Sequence, residues 1–143
     1  PELNYDRVYQ LKKDFPDLEI VINGGITTLE QSSEHLKHLD GVMVGREVYT
    51  NPYLLASVDQ IIYGSANPIK TREKVAEEFL KYVDNELTKG TKLNSMTRHI
   101  LGLYHGMPGA RQFRRHISEN AHKPSATIEV LQTALEKTSG VNG

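Results

Sequence analysis

The sequence predicts an α/β region that forms only part of a larger parallel sheet or barrel, followed by an all-α helical bundle. Three observations predict it. Two short apolar runs, Ile20-Val21-Ile22 and Val42-Met43-Val44, each end at glycine and frame an amphipathic segment, which is the period of a βαβ unit. Both runs are continuous rather than alternating, as in parallel strands covered on two faces. After "YGSANP", residues 63–68, no strand-like run remains and helical spacing takes over. The two regions are therefore drawn as residues 1–68 and 69–143.

Each element follows from local chemistry. Asn4 caps a first helix carrying Tyr5, Val8, either Leu11 or the stem of Lys12, and Phe15, and Pro16-Asp17 stops it. The first strand comes next. Thr27 with Glu30 three residues on reads as a capping box opening a helix through Leu29, Ser33, Leu36 and Leu39, ended by Asp40-Gly41. The second strand finishes at Gly45-Arg46. Thr71 caps a long helix with Val75, Phe79, Tyr82 or Val83, and Leu87 on one face, and Gly90 lies past its end. Further helices are expected over 94–105, over 109–120 with Ala110, Phe113 and Ile117 inward, and after Pro124-Ser125 with Ile128, Leu131 and Leu135.

Two βα units cannot bury both faces of their sheet and leave two open edges. A full (β/α)₈ barrel takes about 250 residues. The chain opens on Pro1 rather than Met, so the expectation is a piece of a longer protein whose remaining strands lie upstream. Such a piece should hide its open strand edges by self-association.

Composition narrows the chemistry. The absence of cysteine excludes disulfides, thiolate-bound zinc, iron–sulfur clusters and thiol catalysis by this chain. No apolar run approaches the roughly 20 residues of a membrane span and no signal-peptide pattern opens the chain, so a cytoplasmic protein away from membranes is expected. The net charge of −1 conceals an asymmetry. Residues 1–69 carry 5 Lys/Arg against 10 Asp/Glu, whereas residues 91–123 carry 6 Lys/Arg against Glu119 alone. The second region suits an anion as large as a nucleic acid.

Two sets of residues can carry function. Asn23, Gly24 and Gly25 follow the first strand, and Gly45 and Arg46 follow the second. Turns at the carboxyl ends of parallel strands gather ligands, glycines leave no Cβ in a ligand's way, and Arg46 can pair with a phosphate. The competing reading is a tight turn beside a solvated arginine. On the 109–120 helix, Arg111, Arg114 and Arg115 share one face at spacings of three and four, able to straddle successive phosphates. An ordinary solvated face is the alternative. His35 and His38 lack a third ligand at a recognised spacing, so no metal site is expected. No Ser-His-Asp pattern appears either.

Taken in order, "VYQLKKDFP", "INGGITTLEQ", "HLDGVMVGREVYTNPYLLASVD" and "ELTKGTKLNSMTRHILGLYHGMPGARQFRRHISENAHKP" resemble the C-terminal half of the bacterial flavin-dependent tRNA-dihydrouridine synthases, A subfamily. The resemblance runs almost end to end. It implies that residues 1–68 are the end of an FMN-binding (β/α)₈ barrel and residues 69–143 a helical tRNA-binding domain. By the same resemblance Asn23, Gly24, Gly25, Gly45 and Arg46 match FMN-phosphate segments. Arg111 and Arg114 fall at tRNA contacts, with Arg98, Arg115 and Lys123 as secondary candidates.

The implied reaction reduces uridine to 5,6-dihydrouridine in the tRNA D-loop, with NADPH supplying electrons through FMN. The family's cysteine acid is absent, so this chain contributes no catalytic residue and is expected to be inactive alone. Two other readings stay open: a stand-alone RNA-binding helical module, and an FMN or sugar-phosphate barrel enzyme unrelated to RNA.

Overall fold

A computed structural model describes residues 2–139. Helix α1, Tyr5–Asp14, starts where Asn4 accepts a hydrogen bond from the Arg7 N–H at 3.0 Å. Between the two candidates for its third inward position, the chain uses Lys12. Its ammonium donates to the carbonyls of Pro16 at 2.9 Å and Leu18 at 2.7 Å and pairs with Asp40 at 2.8 Å, whereas Leu11 and Phe15 stay exposed. One lysine thus fastens the turn after α1 to the end of the following crossover. Asp40 also accepts from the Ile20 N–H, and these bonds, the lysine's first, hold its carboxyl below the ordinary range.

Strands β1, Val21–Asn23, and β2, Gly41–Met43, pair in parallel, with Val21 opposite Gly41 and Asn23 opposite Met43. Helix α2, Leu29–Leu36, makes the crossover. Its capping box lies one residue beyond the expected place: the Thr28 hydroxyl accepts from the Gln31 N–H, and the Gln31 side chain accepts from the Thr28 N–H. Thr28 rather than Thr27 sits in the extended backbone before the first turn, and a glutamine closes the box as a glutamate would.

The continuous apolar runs are covered on one face only. Ile22 is buried with Ile26 and Leu39 beneath α1 and α2. Val21 and Met43, 48% and 54% exposed, have little over them. The apolar composition of these runs therefore anticipates more cover than the described residues supply.

Between the strands and the long helix the sequence shows only punctuation, but the chain is helical there. Helix α3, Arg46–Thr50, leads into a 3₁₀ segment, Pro52–Ser57, and a single turn α4, Val58–Ile61. Helix α5, Arg72–Thr88, is capped by the Thr71 hydroxyl, which accepts from the Lys74 N–H, and it ends before Gly90 at φ +86°. Val83, not Tyr82, points inward.

The expected helix over 94–105 is mostly absent. Helix α6 covers Leu93–Thr97 only, and tight turns follow, with N–H groups of Leu103, His105 and Met107 bonded three residues back. Within these turns Gly102 is buried directly against the Thr50 carbonyl, an approach that leaves no room for a side chain. Helix α7, Ala110–Asn120, then starts at Gly109, whose left-handed φ of +79° and contact with the Lys137–Thr138 backbone both require glycine. Helix α8, Glu129–Ser139, packs along α7.

A second buried cluster gathers these helices around Phe113, fully buried and edge-on to Tyr104 at 5.1 Å, with Leu131 and Val83. Tyr53 packs against it from the 3₁₀ segment, its ring under the Arg72 guanidinium at 3.9 Å. Overall the chain is a mixed helical structure carrying a small two-stranded parallel sheet.

The Gly102 contact makes a quantitative demand. Gly102→Ala adds one methyl against backbone that cannot rotate away, so it should lower stability by about 1–3 kcal/mol, the usual range for overpacking. Chemical denaturation followed by circular dichroism measures this, and an unchanged midpoint would rule out the close approach.

Candidate anion-binding cleft and basic helix face

Parallel pairing of β1 and β2 puts the carboxyl ends of both strands side by side. Asn23, which ends β1, and Gly24, Gly25, Gly45 and Arg46, which lie beyond the strands, all line one cleft of about 660 Å³. Ile26, Thr27, Glu47 and Thr50 complete the lining. Both segments named from sequence therefore meet, although 20 residues of chain separate Gly25 from Gly45.

The fold itself gives these glycines a structural reason. Gly24 and Gly25 take φ of +128° and +64°, regions that side chains disfavour. A Cβ on Gly24 would meet the Leu3 side chain at 2.9 Å, and one on Gly25 would meet Leu3 at 2.6 Å and the Tyr5 hydroxyl at 3.0 Å. Those neighbours lie outside the cleft lining. Backbone conformation and the cover of Leu3 and Tyr5 make glycine necessary here.

Arg46 occupies the first position of α3, exposed, and its guanidinium forms no hydrogen bond or ion pair with any described residue. Gly45 gives α3 no side-chain cap. The donor set fits the phosphate end of a larger molecule: an unpaired guanidinium, a glycine turn and the Asn23 carboxamide, whereas the Thr27 and Thr50 hydroxyls already donate to Gln31 and to the Arg46 carbonyl. Glu47 works against this, since an acidic residue lines the same cleft. Thr50 and Glu47 carried no sequence signal beyond adjacency to Arg46, and neither was singled out.

The arginines of α7 fall where the periodicity placed them. Phe113 and Ile117 are buried and Arg111, Arg114 and Arg115 are exposed. They differ in availability. Arg115 is tied to Glu119 at 2.8 Å, one helical turn on, whereas Arg111 and Arg114 have no partner among the described residues. Lys123 donates to Asn120 at 2.7 Å and lines a different cleft of about 480 Å³ with Lys92 and His122. Arg98 closes α6, next to His99, whose ring meets Tyr49 edge-on and shares a hydrogen bond with its hydroxyl at 3.2 Å. The five basic residues thus form a free pair, an ion-paired neighbour and two separate outliers.

Among the described residues no cluster of His, Asp and Glu could hold a metal, and no helix is long and apolar enough to cross a membrane. His35 is buried and bonded to Tyr9 instead.

Comparison with known proteins matches residues 1–139 to the family model described as Dihydrouridine synthase (Dus). The tRNA-dihydrouridine(20/20a) synthase of Vibrio vulnificus is 62% identical over 137 residues, covering 96% of this chain and 42% of that protein. The proteins of the same name from Yersinia pestis and Escherichia coli K12 are 53% and 54% identical, covering 97% and 95% of this chain. The chain spans about two-fifths of the length of these relatives. With a family model matched over nearly all of its length, the chain belongs to the dihydrouridine synthase family.

Proposed function

We propose that this chain supplies the cofactor-phosphate side and the RNA-gripping helices of a flavin-dependent tRNA-dihydrouridine synthase. The observation that carries this is the convergence of Asn23, Gly24, Gly25, Gly45 and Arg46 on one cleft at the carboxyl ends of two parallel strands. Residues 1–68 form the closing part of a (β/α)₈ barrel, and residues 69–143 a helical tRNA-binding domain. The one-sided cover of Val21 and Met43 supports the first assignment, and the separate cluster around Phe113 supports the second.

In this reading the cofactor is FMN, reduced by NADPH, and it supplies the hydride that converts a uridine to 5,6-dihydrouridine. This chain's residues bind and orient. Arg46 offers two parallel N–H donors to phosphate oxygens, and the Gly24–Gly25 turn brings backbone close to the same group. Arg111 and Arg114, already free of protein partners, contact RNA phosphates without first breaking an ion pair. The relatives' names carry the designation 20/20a, and the substrate positions proposed for the whole enzyme are the corresponding tRNA uridines, in a cytoplasmic tRNA pool. The chain carries no cysteine to act as the proton donor, so turnover requires residues beyond these 143.

Without further strands, Val21, Met43 and the open edges of β1 and β2 favour pairing with a second copy. Sedimentation velocity of the purified chain should show dimers or larger species, and a monodisperse monomer would contradict that pairing. For the RNA face, Arg111→Ala and Arg114→Ala should each weaken tRNA binding and reduce the slope of log affinity against log salt by about one. Arg115→Ala should do less, because Glu119 already neutralises it. Affinities unchanged across 50–200 mM salt, a range of the order used to resolve such slopes, would remove α7 from the interface.

A further inference from the structure

The glycine wall of the cleft is held from behind. Tyr5, in the first turn of α1, donates its hydroxyl to the Gly24 carbonyl at 2.7 Å across 19 residues of sequence. The Tyr5 ring stands edge-on to His35 of α2, with centroids 4.6 Å apart at 72°. His35 is only 6% exposed, and its Nδ1 shares a 2.6 Å hydrogen bond with the Tyr9 hydroxyl. Tyr9 in turn lies on the His38 ring at 4.5 Å. None of these side chains lines the cleft.

The consequence follows from peptide geometry. The Gly24 carbonyl and the Gly25 N–H belong to one planar trans peptide, so they point in opposite directions. Two successive glycines with positive φ carry no side chains to fix that plane, and it is free to rotate unless something outside the turn holds it. Tyr5 engages the carbonyl on the α1 side, away from the cleft, which sends the Gly25 N–H toward the cleft. A turn that wavered between orientations would present that donor only part of the time.

We propose that Tyr5 is a positioning residue for anion binding: its hydroxyl locks the Gly24–Gly25 peptide so that the Gly25 N–H faces the phosphate, and His35 with Tyr9 holds the Tyr5 ring in place. The inference rests on the flavin-phosphate reading of the cleft. Tyr5 touches neither cofactor nor substrate. The effect should therefore fall on ligands that carry a phosphate and spare those that lack one.

The test titrates FMN and riboflavin separately into the ¹⁵N-labelled chain and follows the Gly25 amide by NMR. Wild type should bind FMN more tightly than riboflavin, and Arg46→Ala should erase the difference. Tyr5→Phe keeps the ring and removes only the donor, so it should weaken FMN binding about three- to tenfold and leave riboflavin unaffected. Before any ligand is added, Tyr5→Phe should also shift or broaden the Gly24 and Gly25 amide signals while those of α7 stay in place. Tyr5→Phe with wild-type FMN preference, while Arg46→Ala loses it, would overturn the role of Tyr5 and leave the cleft assignment standing. A wild-type chain that binds FMN and riboflavin equally, and unaltered by Arg46→Ala, would overturn the cleft assignment and this inference together. Loss of signal dispersion over the whole spectrum in Tyr5→Phe would show a general folding role and contradict local positioning.

Discussion

Parallel pairing of β1 with β2 is the constraint on which the rest of the site depends. With Asn23 opposite Met43, the two chain segments leave the sheet at the same edge and in the same direction. An antiparallel pair would have sent Gly24 and Arg46 to opposite ends. Parallel pairing needs a crossover, and α2 supplies it with a reciprocal Thr28–Gln31 cap at its start and the Lys12–Asp40 pair beyond its end. The cleft is the outcome of that crossover and of nothing more elaborate.

Helix α3 connects the cleft to the helical region. Its first residue, Arg46, lines the cleft, and its last, Thr50, presents the carbonyl against which Gly102 is buried. Tyr49 meets His99 on the same side. Helix α3 is only five residues long, so the cleft and the Gly102 turn meet it within about one and a half turns. Backbone-to-backbone contact at Gly102 leaves little freedom for the two to slide. The proposed phosphate cleft and the helical region thus share one short helix.

Much of this was legible from residues alone, for local reasons. Asn4 and Thr71 cap as their side-chain chemistry dictates, and α7 buries Phe113 and Ile117 because the 3.6-residue spacing allows no other face. The five cleft residues were readable because each set directly follows a strand. The capping box slipped by one position where two threonines stand together and either could cap. The helix expected over 94–105 is too long because apolar periodicity does not distinguish a helix from the tight i−3 turns that follow Thr97. Tyr5, Lys12 and Thr50 act through partners distant in sequence, so no spacing marks them. The part of the glycine requirement that comes from Leu3 and Tyr5 behind the turn is invisible to a local reading.

The claim that the two strand ends form one phosphate site is tested most directly by a crystal structure of this chain soaked with FMN. The account predicts phosphate density between the Gly24–Gly25 turn and Arg46, with the Arg46 guanidinium and the Gly25 nitrogen each about 3 Å from a phosphate oxygen. Density in the Lys92–Lys123 cleft instead, with the β1–β2 edge empty, would contradict it.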